Sequence, residues 1–387
     1  VAIYMFISKE VQASATLKFS QKAKEKIARG EIIYSLGLGE PDFDPPVEII
    51  ESVSAAAKNG FNKYGNSMGL DSLRLHIAKK LQNENGIPCE KDDVCITFGA
   101  KQALVLALMA ILQPGDEVVN ISPCYVSYVP QIKIAEPNAI IKNVDLCRDD
   151  FSLDLQSVKA AISGKTKCII LNSPNNPSGK VFTRAEYDQL ISLVSDSEIY
   201  LISDEIYEYL NFGQYPMISP GAYSEVAGRV FTINGFSKSF GMTGWRIGYM
   251  TIPKNQRKNI STLVQHINTN VTSFIQKGLE GIYDIDRSYL NSYNMHLRKM
   301  AGYITDELNA VGLKVIKPQG GLFCFVNVSA KGLKSDDFAA GLLHEQNVAV
   351  TPGIAFGENW DDYVRISFAG KEREIRSGIE GIKNFLQ

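Results

Sequence analysis

The 387-residue sequence lacks the features that mark several classes of protein. No apolar run approaches the roughly 20 residues that a membrane-spanning helix needs. The apolar opening Val1–Ile7 is short and has no basic start, which disfavours a signal peptide. Lysine plus arginine nearly balance aspartate plus glutamate, at 40 against 42, so charge gives no reason to expect a nucleic acid or a membrane surface as partner.

Cysteine and histidine are too sparse and scattered to indicate a metal site. The six cysteines contain no C-x-x-C pair, and the four histidines show no zinc-type spacing. We therefore expect no metal and assign the histidines structural or surface roles. Several cysteines lie in apolar, strand-like runs, so we expect buried free thiols, a reducing compartment and a cytoplasmic protein.

Length and hydrophobic pattern predict an α/β protein with two domains. From Val94 onward, short runs of valine, isoleucine and leucine alternate with segments of helix length, which is typical of a mainly parallel sheet between helices. The loops at the carboxyl ends of such strands share one edge, where ligands bind. The expected strands span residues 94–98, 117–121, 139–144, 167–171, 199–203, 230–233 and 247–252.

The pattern changes after Pro253. We expect a long helical region to about Ala310, interrupted near residues 284–288, and then strands at 313–316, 322–328 and 363–368. Further helices are expected at 19–29, 47–58, 70–83, 336–345 and after 371. The prediction is an N-terminal segment, 1–45, that joins a small C-terminal α+β domain, 281–387, beside a large domain, 46–280.

The most informative stretch is a lysine-containing turn over residues 234–246, NGFSKSFGMTGWR. Lys238 lies in a Gly/Ser-rich setting after a predicted strand, and such an amine can form a Schiff base with an aldehyde. The Ser237 hydroxyl and the Arg246 guanidinium suit a phosphate. An aldehyde and a phosphate together describe pyridoxal phosphate (PLP). Taken alone, this turn also fits a solvated loop lysine.

Three motifs in order resemble the class I and II aminotransferases of the aspartate aminotransferase fold. They are the lysine turn, SDEIY over residues 203–207 and NSPNNPSG over residues 172–179, and matches run from about Gly39 to Arg365. The resemblance implies PLP fold type I, in which the large domain has a mainly parallel seven-stranded sheet. It also implies a homodimeric, PLP-dependent aminotransferase that acts on a small-molecule amino acid and a 2-oxo acid.

The resemblance implies cofactor roles for individual residues. Lys238 is the Schiff-base lysine and general base, and Asp204 keeps the pyridine nitrogen protonated, although an Asp after a strand is often a helix N-cap. Tyr207 is the third residue given a catalytic role, as a donor to the cofactor's phenolic oxygen. The remaining expected cofactor contacts are Ala100 and Lys101 through their backbone, Tyr125 by ring stacking, Asn176, Ser237, Arg246, and Tyr64 from the partner subunit.

The sequence departs from the family pattern at two of these places. Gly235 stands where some relatives carry a serine, so one hydroxyl contact to the phosphate is missing; from the residues alone it is a plain turn glycine. Tyr125 stands where many relatives carry tryptophan, which changes the stacking surface.

The substrate residues also follow from the resemblance. Arg365 matches the arginine that holds the α-carboxylate, helped by the main chain at Gly39, with Tyr125 and Asn176 nearby. From the residues alone, Arg365 also fits the exposed side of an alternating strand.

Residues 13–16 and Lys101 resemble a prokaryotic-type aspartate aminotransferase subgroup, in which hydroxyls and a lysine face the distal carboxylate. We therefore expect Thr16 and Lys101 to contact substrate, aspartate or glutamate to be favoured, and 2-oxoglutarate to be the acceptor. Lys101 in solvent, or in the phosphate site, is the alternative.

Three other functions are alternatives for this sequence. An aminotransferase for aromatic or other neutral amino acids would use the same machinery, because a lysine orients a carboxylate less strictly than an arginine does. A carbon–sulfur lyase on this fold would also use Lys238 and Asp204. A PLP-binding regulator is disfavoured, because such proteins usually carry a DNA-binding domain and no basic segment of that size precedes Gly39.

Overall fold

The computed structural model describes residue 11 and residues 15–387, without the side chains of residues 15–20 and 22. The helices are α1 (Ala15–Ala28), α2 (Val47–Lys58), α3 (Asp71–Asn85), α4 (Gly99–Ile111), α5 (Tyr128–Ala135), α6 (Leu155–Ala161), α7 (Arg184–Val194), α8 (Arg257–Ile267), α9 (Ser273–Gly278), α10 (Ser288–Ala310), α11 (Ser335–Glu345) and α12 (Glu372–Leu386). The strands are β1 (Tyr34–Ser35), β2 (Val94–Thr97), β3 (Glu117–Ser122), β4 (Ile140–Asp145), β5 (Thr166–Asn172), β6 (Tyr200–Asp204), β7 (Val230–Gly235), β8 (Gly248–Thr251), β9 (Lys314–Val315), β10 (Phe323–Asn327), β11 (Val348–Ala349), β12 (Thr351–Pro352) and β13 (Tyr363–Ser367).

The central sheet has seven strands in the order β2-β8-β7-β6-β5-β3-β4. Strand β8 runs antiparallel to both of its neighbours, and the other neighbouring pairs are parallel. Every residue of β2, β3, β6, β7 and β8 is buried, as expected for strands covered by helices on both faces. The predicted mainly parallel seven-stranded sheet is confirmed.

A second sheet is built from the C-terminal part of the chain. Its four strands run in the order β12-β13-β10-β9, and each neighbouring pair is antiparallel. The N-terminal segment packs with the same part of the chain: β1 and β11 form a separate two-stranded parallel sheet, and Lys26 Nζ donates to the side chain of Asn347 at 2.7 Å. Helices α10, α11 and α12 contribute most of their buried apolar residues to the cluster behind this sheet.

The helical region after Pro253 differs from the prediction. Besides the expected interruption, which extends over residues 279–287, the chain breaks between α8 and α9. Thr269 there adopts φ 62°, in the left-handed region, and its N–H donates to Val264 O at 3.0 Å. The expectation of a single interruption was wrong because Asn268 and Asn270, which favour turns over helix interiors, flank this residue.

The six cysteines are free, and all except Cys147 are buried, as predicted. Burial raises the pKa of Cys95 to about 12, so this thiol is poorly reactive. Within the described part of the chain, no helix is both long and apolar enough to cross a membrane. The cytoplasmic location stays a prediction.

Candidate active site

A cavity of about 400 Å³ lies where β5, β6 and β7 end and α4 begins. Its lining includes parts of the chain that are far apart in sequence, from Gly37 to Arg365. The structure therefore brings most of the predicted site residues together at the expected edge of the sheet. Those that line the cavity are Gly39, Ala100, Lys101, Tyr125, Asn176, Asp204, Tyr207, Ser237, Lys238, Arg246 and Arg365.

Two predicted site residues are not among those lining the cavity. Tyr64 is 87% exposed and lies in a separate hollow with Phe61, Lys63 and Phe274. Thr16 belongs to helix α1, and its side chain is outside the described part of the structure. The neighbouring residues 13 and 14 also lie outside the described residues.

Lys238 reaches into the cavity from the turn after β7. Its Nζ donates a hydrogen bond to Gly39 O at 2.7 Å. Burial lowers the pKa of this amine to about 8; Glu40 opposes the shift, and the guanidinium groups of Arg365 and Arg246 add to it. The alternative of a solvated loop lysine is wrong, and a useful fraction of the amine is neutral near pH 8.

Asp204 closes β6 and is 8% exposed. No α-helix begins after it, so the N-cap alternative is wrong. Its two carboxylate oxygens accept different donors: Oδ2 accepts from the Tyr128 hydroxyl at 2.7 Å, and Oδ1 accepts from the Ile206 N–H at 3.2 Å. Burial raises the pKa of Asp204 to about 6, and both hydrogen bonds oppose that shift. The carboxyl group is therefore mainly ionised at pH 7.

The start of α4 carries groups that could bind an anion. The first N–H groups of a helix have no partners within the helix, so those at Ala100 and Lys101 are free to bind an anion. A Cβ on Gly99 would lie 2.8 Å from Arg246 Nη2, so glycine allows the guanidinium to reach this helix end. Arg246 is held there by donating to Thr243 O at 2.8 Å.

Gly235 has a packing role that was not predicted. A Cβ at this position would lie 3.0 Å from Gly248 Cα and 3.2 Å from Ile247 O. Gly248 is equally restricted, because its Cβ would lie 2.9 Å from Ala100 N. Glycine at position 235 therefore lets β7 and β8 approach each other beside the helix start, and the plain-turn alternative was wrong.

Arg365 is buried in β13, where every residue is buried, so the exposed-strand alternative is wrong. Its Nη1 donates to Asn176 Oδ1 at 2.9 Å, and its Nη2 donates to Gly37 O at 2.7 Å. The guanidinium lies 4.0 Å from the centre of the Phe323 ring. Burial lowers the pKa of Arg365 to about 10, against the effect of Tyr207, so it stays charged at neutral pH.

The side chain of Lys101 is exposed to solvent and also borders the cavity. Its Nζ lies 5.6 Å from the centre of the Tyr125 ring. A cation at this distance is attracted by the ring face. The ammonium group therefore lies near the ring that was predicted to stack on the cofactor.

Tyr128 and Gln131 are among the residues of this cavity that sequence reasoning did not assign. Tyr128 follows Tyr125 by three residues, and their rings pack edge to face at 5.6 Å. Gln131 Nε2 donates to Lys101 O at 2.8 Å, while its buried Oε1 has no partner among the described residues. These residues could have been predicted from the spacing of Tyr125, Tyr128 and Gln131, which recur every three positions after β3.

Comparison with known proteins identifies the family to which a chain with this cavity belongs. The sequence model of the family described as "Aminotransferase class I and II" matches residues 31–382. The chain belongs to the class I and II aminotransferases. It is therefore a PLP-dependent enzyme that transfers an amino group, as the sequence predicted.

The relatives of this aminotransferase cover nearly all of its length. A probable aspartate/prephenate aminotransferase of Aquifex aeolicus is 37% identical, covering 97% of each chain. An aspartate aminotransferase of Musicola paradisiaca is 35% identical over 97% of this chain and 94% of its own. The structure of the Thermus thermophilus aspartate aminotransferase with maleate superposes with a TM-score of 0.92, at 33% identity and 97% coverage of each chain.

The donor set of the aminotransferase cavity fits PLP. The free N–H groups of α4, Ser237 and Arg246 suit the phosphate, and the part-buried amine of Lys238 suits the aldehyde. A buried carboxylate, Asp204, suits a protonated ring nitrogen. The space required at Gly99 and Gly248 supports the same site, because a side chain at either position would intrude on Arg246 or the helix start.

The aminotransferase also buries a carboxyl group that points away from this chemistry. Glu205 follows Asp204, is 0% exposed, and accepts hydrogen bonds from Ser203 at 2.8 Å and Ser219 at 2.7 Å. Burial raises its pKa to about 8, opposed by the Ser219 hydrogen bond and reinforced by Glu208. The folded protein therefore holds a proton here that the unfolded chain releases.

Glu205→Gln is expected to stabilise the aminotransferase in alkaline solution. The folded pKa of about 8 exceeds the ordinary value of 4.5, so the parent loses stability as pH rises through that window, whereas glutamine stays neutral. The gain in unfolding free energy should be small below pH 4.5 and reach about 2–5 kcal/mol above pH 8. Denaturant unfolding at several pH values measures it, with the exposed Glu198→Gln as control. A gain that does not grow with pH would contradict the buried acid.

Proposed function

We propose that this enzyme transfers the amino group of aspartate or glutamate to 2-oxoglutarate with ping-pong kinetics. The observation that carries the substrate class is a pair of cations around one cavity. Arg365 is buried at its inner wall, and the exposed Lys101 borders it. A dicarboxylic substrate presents two carboxylates to such a pair, one to the guanidinium fork and one to the ammonium group.

We further propose that the cofactor is held by the residues around the start of α4 and the end of β6. Ala100 and Lys101 offer backbone N–H groups, and Ser237 and Arg246 offer side-chain donors to the phosphate. With PLP bound, Asp204 would pair with the ring nitrogen, the ring of Tyr125 would cover one face, and Tyr207 and Asn176 would donate to the phenolic oxygen. Burial of Tyr207 raises the pKa of its phenol, which therefore stays neutral and can act as a donor.

The remaining residues act on the substrate. PLP, when bound, supplies the electron sink that makes the substrate Cα acidic. Arg365 holds the α-carboxylate, with Asn176 fixing the guanidinium at 2.9 Å, and the carbonyl at Gly39 lies beside the reacting amine. The neutral amine of Lys238 then takes the proton from Cα, which its pKa of about 8 permits near neutral pH.

A broader donor range is the second candidate, and the position of Lys101 favours it. The ammonium is a solvent-exposed point charge near an aromatic ring, rather than a buried fork. Such a site admits aromatic or other neutral side chains, and the name of the Aquifex aeolicus relative extends to prephenate. Release of a keto acid and ammonia without amino transfer would instead indicate a carbon–sulfur lyase.

Lys101→Ala is expected to lower kcat/KM for aspartate far more than for phenylalanine. A charged hydrogen bond to the distal carboxylate contributes roughly 1.5–3 kcal/mol, so the selective loss should be about 10- to 100-fold. Steady-state kinetics with both donors and 2-oxoglutarate measures it, and Lys133→Ala provides a control on α5. Equal losses for both donors would assign Lys101 to the phosphate site and remove the acidic preference.

We propose the domain boundaries 1–45, 46–280 and 281–387, and a homodimer with Tyr64 contributing to the partner's site. The two separate sheets and the β1–β11 pair support the boundaries. The exposed Tyr64 ring, which does not border its own cavity, supports a contact between subunits.

The dimer is tested by complementation. Tyr64→Phe subunits mixed with Lys238→Ala subunits should form hybrids in which one site is intact and the other carries both changes. Sedimentation and activity of the separated hybrids measure this. A fully active monomer would contradict the shared site.

A further inference from the structure

We propose that Tyr128 is the positioning residue of Asp204, fixing the direction in which this carboxylate faces the cofactor ring. The inference rests on the proposed function of the cavity and extends it to a residue that the sequence did not single out. The Tyr128 hydroxyl donates to Asp204 Oδ2 at 2.7 Å, and the two side chains belong to different elements, α5 and β6.

The hydrogen bonds leave the carboxylate little rotational freedom. One oxygen is held by Tyr128 and the other by the Ile206 N–H at 3.2 Å. Asn172 Nδ2 also donates to the Asp204 backbone oxygen at 2.9 Å, which fixes the main chain. Among the described residues, no lysine or arginine forms an ion pair with Asp204. The phenol is therefore its side-chain partner in the folded chain.

Tyr128 can only donate to this carboxylate. Burial, followed by the charge of Asp204, raises the pKa of the Tyr128 phenol well above its ordinary value, so the hydroxyl keeps its proton. Tyr207, the other phenol whose titration Asp204 influences, is likewise kept neutral by burial. The Tyr128 hydrogen bond also lowers the pKa of Asp204, against the effect of burial. One contact thus orients the carboxylate and favours its charged form.

The ring of Tyr128 is held in place by its packing. It is 2% exposed and packs in an apolar cluster with Leu104 and Ile132. It also contacts the ring of Tyr125 edge to face, with centroids 5.6 Å apart. Tyr128 therefore sets the spacing between the wall of the cofactor site and the carboxylate at its base.

Tyr128→Phe removes the hydroxyl and keeps the ring, so PLP binding to the full-length protein freed of cofactor tests the proposal. Equilibrium dialysis should give a dissociation constant about 10- to 100-fold above that of the parent at pH 7. The pH below which affinity is lost should also move upward, because the donor that lowers the Asp204 pKa is gone. Tyr187→Phe, a buried tyrosine in another apolar cluster, should match the parent.

Coupling to Asp204 separates this role from a purely structural one. In the Asp204→Asn background, Tyr128→Phe should change the dissociation constant by less than about threefold. Equal losses in both backgrounds, or parent-like binding and pH dependence of Tyr128→Phe, would overturn the proposal. If Asp204→Asn alone leaves binding unchanged, the proposed cofactor role of Asp204 fails instead.

Should Tyr128→Phe not fold, Tyr128→His provides a second test, because histidine retains a ring donor. Its dissociation constant for PLP should lie within about tenfold of that of the parent. A loss of affinity as large as that of Asp204→Asn would overturn the inference.

Discussion

Lys238→Ala is expected to lower the rate of transamination by about 10⁴-fold or more, because it removes the nucleophile and the general base together. The 2.7 Å hydrogen bond to Gly39 O positions the amine, and its pKa of about 8 leaves part of it neutral near physiological pH. Alanine removes the amine while the strand and turn that carry it remain. The rate should be measured with aspartate and 2-oxoglutarate under saturating cofactor.

Covalent labelling of Lys238 by the cofactor is a second measurement that tests the same role. Borohydride treatment of the parent with PLP should fix the cofactor on the peptide that contains Lys238 and abolish the visible absorbance. Lys254→Ala, which changes a lysine outside the cavity lining, should leave labelling and rate intact. Label on any other lysine of the parent would show that the turn is not the attachment site.

Asp204→Ala is expected to retain some cofactor and to lose transamination by several orders of magnitude. Without a buried carboxylate the ring nitrogen is not kept protonated, and the electron sink is lost. The substitution also leaves the buried Tyr128 hydroxyl without its partner, which costs about 1–3 kcal/mol of folding free energy. Thermal unfolding should therefore be measured beside the rate, so that loss of stability is not mistaken for loss of chemistry.

The isosteric change Asp204→Asn is the matched control for volume. It keeps the shape of the side chain and removes the charge, so its rate should fall nearly as far as that of Asp204→Ala. An Asp204→Ala enzyme within about tenfold of the parent would show that the carboxylate has only a structural role.

Local sequence patterns predicted most of the elements that carry the cavity. The Val94–Thr97 and Glu117–Ser122 strands and the Val47–Lys58 helix follow directly from apolar runs and helical periodicity. The two-residue strands β11 and β12 were missed, because so short a run has no measurable period. The break at Thr269 was missed because a left-handed residue other than glycine leaves a weak signal.

The sequence by itself determined the fold class, the family and the identity of the residues with reactive groups. Lys238, Asp204 and Arg365 were found because their chemistry and motif order are properties of the chain as written. Only the tertiary structure decided that Arg365 is buried against Phe323, that Gly235 is a packing glycine, and that Tyr128 holds Asp204. These facts depend on distances between elements far apart in sequence, and burial and pKa are set by such neighbours rather than by local sequence.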